Sequence, residues 1–196
     1  MQKKKFVIFI LVLTILLFGA SILYKTLSER VSADQMQTYS TSGVGDATQT
    51  QSAQTPEQPM IDAIIYDKDE NPIHLSSFAG KPIILNFWAS WCGPCQAEMP
   101  DFQKMYEEYG DEIHFVMINS TDGSRETIET ADSFIQNSGY TFPVYFDLDY
   151  YASYAYQAFS LPTTYFIDAN GNVIAKGSGT LDRASLQRGI DYIYKP

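Results

Sequence analysis

The pattern of apolar and polar positions divides the chain into three stretches before any motif is considered. Phe6 to Tyr24 is nineteen residues without a charge, dominated by Ile, Leu, Val and Phe. At 1.5 Å rise per residue, a helix of that length spans roughly 28 Å, close to the hydrocarbon thickness of a bilayer. Ser32 to Pro59 is the opposite: fifteen of its twenty-eight residues are Ser, Thr or Gln, and only Met36, Tyr39 and Val44 are larger apolar side chains. Such a run buries too little surface to offset its chain entropy, so it reads as a flexible stalk. From Met60 onward, short apolar runs alternate with segments of helical spacing, the pattern of an α/β domain.

Inside that domain, Met60–Tyr66 and Pro72–Leu75 are predicted to form a hairpin around the polar turn Asp67–Asn71. Ile83–Ala89 is nearly all apolar, which suits a strand covered on both faces at the centre of a sheet. Beyond Cys92, the residues Met99, Phe102, Met105 and Tyr106 share a helical stripe that Gly110 ends. Ile113–Asn119 is a second buried strand, and Arg125–Asn137 a helix stopped at Gly139. Phe142–Phe146 and Thr163–Ile167 are predicted strands, separated by an aromatic-rich helical stretch from Tyr150 to Phe159. Asn170-Gly171 turns the chain into a strand at Val173–Lys176, and a last helix covers Leu181–Tyr194. Together these predict a mixed central sheet with helices on both faces.

Charge narrows the partners. The chain carries a net charge of −10, but residues 1–30 hold five basic residues and one acidic. The remainder has eight basic against twenty-two acidic residues, a net charge of −14. That sign repels phosphate, so no nucleic-acid partner is expected. Lys3, Lys4 and Lys5 precede the apolar span and place its N-terminal side in the cytoplasm. The expected organisation is a cytoplasmic tail at 1–5, a transmembrane signal anchor at 6–24, a flexible stalk at 25–59 and a domain at 60–196. Gly19, Ala20 and Ser21 leave a cleaved secretory signal as the rival, but the span exceeds the usual 7–15-residue core of such signals. Either way the domain lies outside the cytoplasmic membrane, and no Cys near the span offers a site for lipid.

The chain has two Cys and two His. Both sulfurs fall in Trp91-Cys92-Gly93-Pro94-Cys95, where the buried strand gives way to a helix. A thiol at the first position meets the free N–H groups and positive dipole end of that helix, which favour its thiolate. Cys92 is therefore expected to be the exposed nucleophile, and Cys95, in the first turn on the same face, the shielded resolving thiol. Pro94 fits the first turn because no N–H is needed there. A purely structural bridge would close a very short loop for little entropic gain. A metal pair is incomplete, since His74 and His114 lack ligand spacing. Redox chemistry is the reading that remains, with no metal and no cofactor beyond the Cys92–Cys95 disulfide.

Three blocks then carry a resemblance: Leu85 through Cys95, continuing to Glu98 and Pro100; Ser160-Leu161-Pro162-Thr163-Thr164; and Ile167 through Val173. Over residues 60–194 the chain resembles the thioredoxin superfamily, and within it membrane-anchored thiol–disulfide oxidoreductases of the TlpA and ResA type. The resemblance implies a thioredoxin-like fold with an N-terminal hairpin and a central insertion, the latter matching the helix near Arg125–Asn137 and its following strand. It implies that Pro162 is cis, sits against the cysteines and offers the Leu161 backbone to an extended substrate segment. Trp91, Gly93, Pro94, Leu161 and Pro162 are then the substrate-binding residues, and Pro100 is expected to kink its helix. Asn86 stands where thioredoxins carry a buried aspartate. Glu98 matches a glutamate typical of the TlpA and ResA type, and is expected to raise the thiol pKa values by like charge and to accept a proton from Cys95. Its rival role is an ordinary exposed helix glutamate.

What the resemblance implies about activity is reduction of protein disulfides by an extracytoplasmic, single-pass membrane protein. Its partners would be protein thiol and disulfide clients and an integral-membrane electron donor of the CcdA or DsbD kind. Apocytochrome c maturation and recycling of surface methionine sulfoxide reductase are the candidate tasks. The Gly-Pro dipeptide between the cysteines resembles thioredoxin, at about −270 mV, rather than the oxidant DsbA, at about −120 mV. A disulfide-forming oxidase and a membrane-tethered copper or haem chaperone are the alternatives. Peroxiredoxins share the fold but carry Thr where Ala89 stands. The aromatic cluster Tyr150, Tyr151, Tyr154, Tyr156 and Phe159 is expected to pack a helix on the sheet, with a partner surface as its other reading.

Overall fold

The computed structural model describes residue 14 and residues 16–22, 36–38 and 58–195. These belong to two units, Met1–Asp34 and Gln35–Pro196. In the first, residues 16–22 are helical with exposed side chains. Among the described residues, no helix is long and apolar enough to cross a membrane. The span expected at 6–24 lies largely outside the described residues, as does most of the expected stalk.

The second unit is built on one sheet of eight strands: β1 (Met36–Thr38), β2 (Ile64–Tyr66), β3 (Pro72–His74), β4 (Ile83–Trp88), β5 (His114–Ser120), β6 (Val144–Asp147), β7 (Thr163–Ile167) and β8 (Val173–Ser178). Their order across the sheet is β1-β8-β7-β4-β5-β6-β2-β3. β4, β5 and β6 are parallel to one another, and every other neighbouring pair is antiparallel. The helices are α1 (Gly93–Tyr109), α2 (Ile128–Ser138), α3 (Tyr151–Ala155) and α4 (Arg183–Ile193), with a 3₁₀ turn at Leu75–Phe78.

Strand alternation distributes the core between two layers. Ile84 and Trp88 of β4, Phe115 and Met117 of β5 and Phe166 of β7 pack with Met99, Phe102 and Met105 of α1, Ala131 and Ile135 of α2, and Leu186 and Ile190 of α4. The intervening residues Ile83, Leu85 and Phe87, with Val116, Ile118 and Tyr165, face Ala152 of α3, Tyr156 and Leu75. Each large side chain so buried contributes roughly 1.5–3 kcal/mol. All six residues of β4 are buried, so the apolar run marks the sheet's interior as expected. Helices cover both faces, three on one and the short α3 on the other.

Several boundaries differ from the sequence reading. Met36–Thr38, inside the expected tether, pairs with Ala175–Gly177 as β1. Gln58 and Pro59 also join the fold: Val173 N–H donates to the Gln58 carbonyl, and Pro59 bridges Asn172. A backbone ladder needs only N–H and C=O groups, which a polar low-complexity segment supplies as well as any other. The helix expected from Arg125 starts instead at Ile128, because Thr127 and Thr130 exchange the two hydrogen bonds of a capping box. Ahead of it, Asp122 accepts the N–H groups of Ser124 and Glu126 and holds a turn. The helix expected over Tyr150–Phe159 shrinks to Tyr151–Ala155, because Tyr150 and Gln157 adopt φ of 57° and 50° on either side. Pro100 lies inside α1, which continues past it to Tyr109.

α4 reaches the sheet through Gly189, where a Cβ would lie 2.1 Å from the buried ring of Phe166. Gly189→Ala should therefore force that ring or the helix to shift, lowering stability by roughly 1–3 kcal/mol as other overpacked cores do. Urea denaturation of the two proteins measures this.

Candidate active site

β4 delivers the chain to the site. Its last residue, Trp88, is fully buried, and the three residues that follow lead to Cys92, the N-cap of α1. Cys92 takes extended backbone angles and its sulfur accepts the N–H of Cys95 at 3.2 Å. Pro94 occupies the first turn, as the missing N–H allows. Cys92 and Cys95 are joined, with an S–S distance of 2.08 Å. Cys92 keeps 5% of its surface and Cys95 none. The order of exposure is the expected one, but Cys92 is far more covered than an exposed nucleophile, and the surface it keeps opens into a cavity.

That cavity measures about 690 Å³. Trp91, Cys92, Gly93 and Pro94 line one side, and Leu161 another. The Leu161–Pro162 bond is cis. Tyr150, Tyr154 and Phe159 also line it, beside the small residues Ser120, Ser153 and Ala158, with Arg125 as the one charged residue of the lining. Arg125 stands over the Trp91 ring, 3.8 Å from its centroid. The aromatic cluster thus divides. Tyr154 and Phe159 are more than two-thirds exposed and stack edge to face, whereas Tyr156 is buried against Phe87 and Tyr165 and donates its hydroxyl to the Ile61 carbonyl.

Glu98 is neither exposed nor in the cavity wall. It sits one turn beyond Cys95 with 1% of its surface accessible. Its Oε1 accepts from Asn86 Nδ2 and its Oε2 from the Leu181 N–H, each at 2.9 Å. Asn86 in turn donates to Thr164 Oγ1 at 3.0 Å. Burial pushes the Glu98 carboxyl up to about 8, and the two hydrogen bonds only partly oppose it. The group is therefore mostly neutral at pH 7, and like-charge repulsion of a thiolate, the effect expected from the sequence, is weak below that value.

A second buried carboxylate escaped the sequence reading. Glu126 is fully enclosed; it accepts the Ser90 N–H at 2.7 Å, the Ser90 hydroxyl at 2.6 Å and Asn119 Nδ2 at 2.6 Å. Adjacent residues of the β5–α2 loop thus hold the active-site loop from two sides, Glu126 at Ser90 and Arg125 at Trp91. The expected helix over 125–137 concealed both, since helical spacing gives them no common target. Of the residues singled out from sequence, Trp91, Cys92, Gly93, Pro94 and Leu161 meet in the cavity, while Cys95, Glu98 and Pro162 lie behind it, all nearly fully buried.

A thioredoxin-like protein is the class that this sheet order and a disulfide at a helix start define. Residues 52–176 match the AhpC/TSA family model, and the chain belongs to that family. It is similar to the thiol-disulfide oxidoreductase ResA of Oceanobacillus iheyensis, 41% identical over 117 residues that cover 59% of each protein. ResA of Geobacillus kaustophilus is 33% identical over 67% of this chain and 74% of its own length. The chain thus matches less than two thirds of the Oceanobacillus relative and about three quarters of the Geobacillus one. Among solved structures, a DsbF homologue from Corynebacterium diphtheriae aligns with a TM-score of 0.62 at 25% identity, covering 79% of this chain and 99% of that one.

Two stability measurements follow from the buried carboxyls. With Glu98 raised from 4.5 to about 8, the native state keeps a proton that the unfolded chain releases between those values. Stability should be greatest below pH 4.5 from this group and fall as pH rises toward 8, by up to about 1.4 kcal/mol per pH unit. Glu98→Gln should flatten that slope in denaturation curves taken across the window. Glu126→Ala leaves the Ser90 N–H and the Asn119 amide without acceptors and should cost roughly 1–3 kcal/mol, read by the same method.

Proposed function

We propose that the chain is a thiol–disulfide oxidoreductase that reduces protein disulfides outside the cytoplasmic membrane. The observation that carries this reading is the Cys92–Cys95 disulfide at the start of α1, with Cys92 opening into a cavity that Leu161 of a cis Leu161–Pro162 bond helps to wall. The names of the ResA relatives support it.

In the reduced enzyme the Cys92 thiolate attacks one sulfur of a client disulfide, forming a mixed disulfide and expelling the first client thiolate. Cys95 then loses its proton and attacks Cys92, which breaks the mixed disulfide and releases the second client thiolate. Two electrons pass to the client, whose thiolates take up two protons, and the pair ends as the disulfide seen in this structure. The helix start favours the Cys92 thiolate. Glu98, pushed up to about 8, takes the proton from Cys95 only in its ionised form, a minority at pH 7 that grows as pH rises toward 8. Trp91, Gly93, Pro94, Leu161 and Pro162 hold the client segment, the Leu161 backbone by edge pairing.

An uncleaved N-terminal anchor places the domain on the outer face of the membrane. There the pair regains two electrons from an integral-membrane donor of the CcdA or DsbD kind, and apocytochrome c or an oxidised methionine sulfoxide reductase is the client.

Replacing the resolving thiol tests the scheme. Cys95→Ser should accumulate mixed disulfides through Cys92 with client proteins, seen as reductant-sensitive bands on gels and lost in the Cys92→Ser, Cys95→Ser double variant. No trapped species would count against it. A midpoint potential near −270 mV rather than near −120 mV decides for reductase over oxidase.

A further inference from the structure

The cavity beside Cys92 has a composition that the redox step itself does not require. Besides Trp91, three aromatic residues line it, Tyr150, Tyr154 and Phe159. Tyr154 and Phe159 are 75% and 71% exposed, and their rings meet edge to face at 5.7 Å. Large apolar side chains left this open beside a reactive group mark a surface that is covered when a partner binds. The backbone holds them there under strain. Tyr150 and Gln157, at either end of α3, both take positive φ, a conformation that residues with a side chain rarely adopt. Asp147, fully buried, fastens the same helix by accepting the N–H groups of Ala152 and Ser153.

The second feature is charge. The chain beyond residue 30 has a net charge of −14, yet the one charged residue lining this cavity is Arg125. Among the described residues its guanidinium makes no ion pair. Asp122 is close enough for the charge of Arg125 to help lower its carboxyl pKa, but its Oδ1 is taken by the N–H groups of Ser124 and Glu126, and Glu126 is bonded to Ser90 and Asn119. Stacked on Trp91, the guanidinium keeps its edge donors for an incoming acceptor.

We propose that this cavity selects client segments bearing an aromatic side chain and a carboxylate within about two residues of the disulfide cysteine, since an extended chain advances only about 3.3 Å per residue. The aromatic side chain lies against Tyr154 and Phe159, and the carboxylate pairs with Arg125. This selectivity rests on the reading of the chain as a disulfide reductase and deepens it.

The full chain, reduced and freed of reductant, is mixed with four disulfide-linked synthetic peptides that carry Phe or Ala and Glu or Lys beside the cysteine. The Phe–Glu peptide should be reduced about tenfold faster than the Ala–Lys peptide, a difference typical of one apolar contact and one rim charge. The charge part of the preference should fade between low and high salt. Arg125→Glu should reverse the Glu-over-Lys preference, and Tyr154→Ala with Phe159→Ala should bring the Phe-over-Ala preference below about twofold. Wild-type rates within twofold across the four peptides overturn the proposal without any variant having to fold. So does a charge preference that survives Arg125→Glu, or reduction of a small disulfide such as bis(2-hydroxyethyl) disulfide but of no peptide. If the wild type reduces neither peptides nor the small disulfide, the reductase reading itself has failed and the selectivity falls with it.

Discussion

The carboxyl of Glu98 is the point where the elements around the disulfide are tied together. One oxygen reaches Asn86 on β4, which also holds Thr164 on β7; the other reaches the backbone ahead of α4. A side chain from α1 therefore connects the central strand, its antiparallel neighbour and the last helix, in a layer otherwise filled by Met99, Phe102 and Leu186. Asn86 Oδ1 is buried without a hydrogen-bond partner, so the network is not fully satisfied, but both Glu98 oxygens are bonded and tie α1 to the sheet and to the start of α4. The orientation of α1 sets where Cys92 stands, because Cys92 is its cap. The same burial that makes this bridge geometrically exacting also raises the proton affinity of the carboxyl well above that of a free glutamate.

The active-site loop is secured independently from the β5–α2 side. Ser90 is held from within by Glu126, and Trp91 is covered from outside by Arg125. Thr127 caps α2 at a position that leaves both residues in the loop rather than on a helix face. Cys92 is thus bounded by a fixed loop before it and a fixed helix after it, and the surface it keeps lies on the cavity side.

Much of this was readable from the chain. The apolar run of β4 and the Cys92–Cys95 spacing at its end each express a strong local requirement, for burial on two faces and for a helix start, whereas the cis form at Pro162 was legible only through the resemblance. What could not be read depends on which groups meet across long separations. Glu98 has the spacing of a surface helix residue, and only the packing of β4, β7 and α4 over it makes it buried. Arg125 and Glu126 look like the first turn of a helix until the Thr127 capping box and the Asp122 turn are seen. Five aromatic residues at helical spacing gave no sign that Tyr156 turns into the core while Tyr154 and Phe159 turn out, since that division follows from two residues with positive φ. β1 was the least legible element, because a pairing made by backbone groups alone leaves no trace in side-chain polarity.

That first strand also matters for how the sheet ends. With Met36–Thr38 in place, the two outermost strands are β1 and β3, each three residues long, and β3 begins with a proline that has no N–H to offer. Short rims of this kind give a neighbouring molecule little template on which to extend the sheet. Trimming the chain at Met60 would lay bare the six residues of β8, twice as long and carrying no proline. The polar segment that looks dispensable therefore guards the domain against edge-to-edge aggregation.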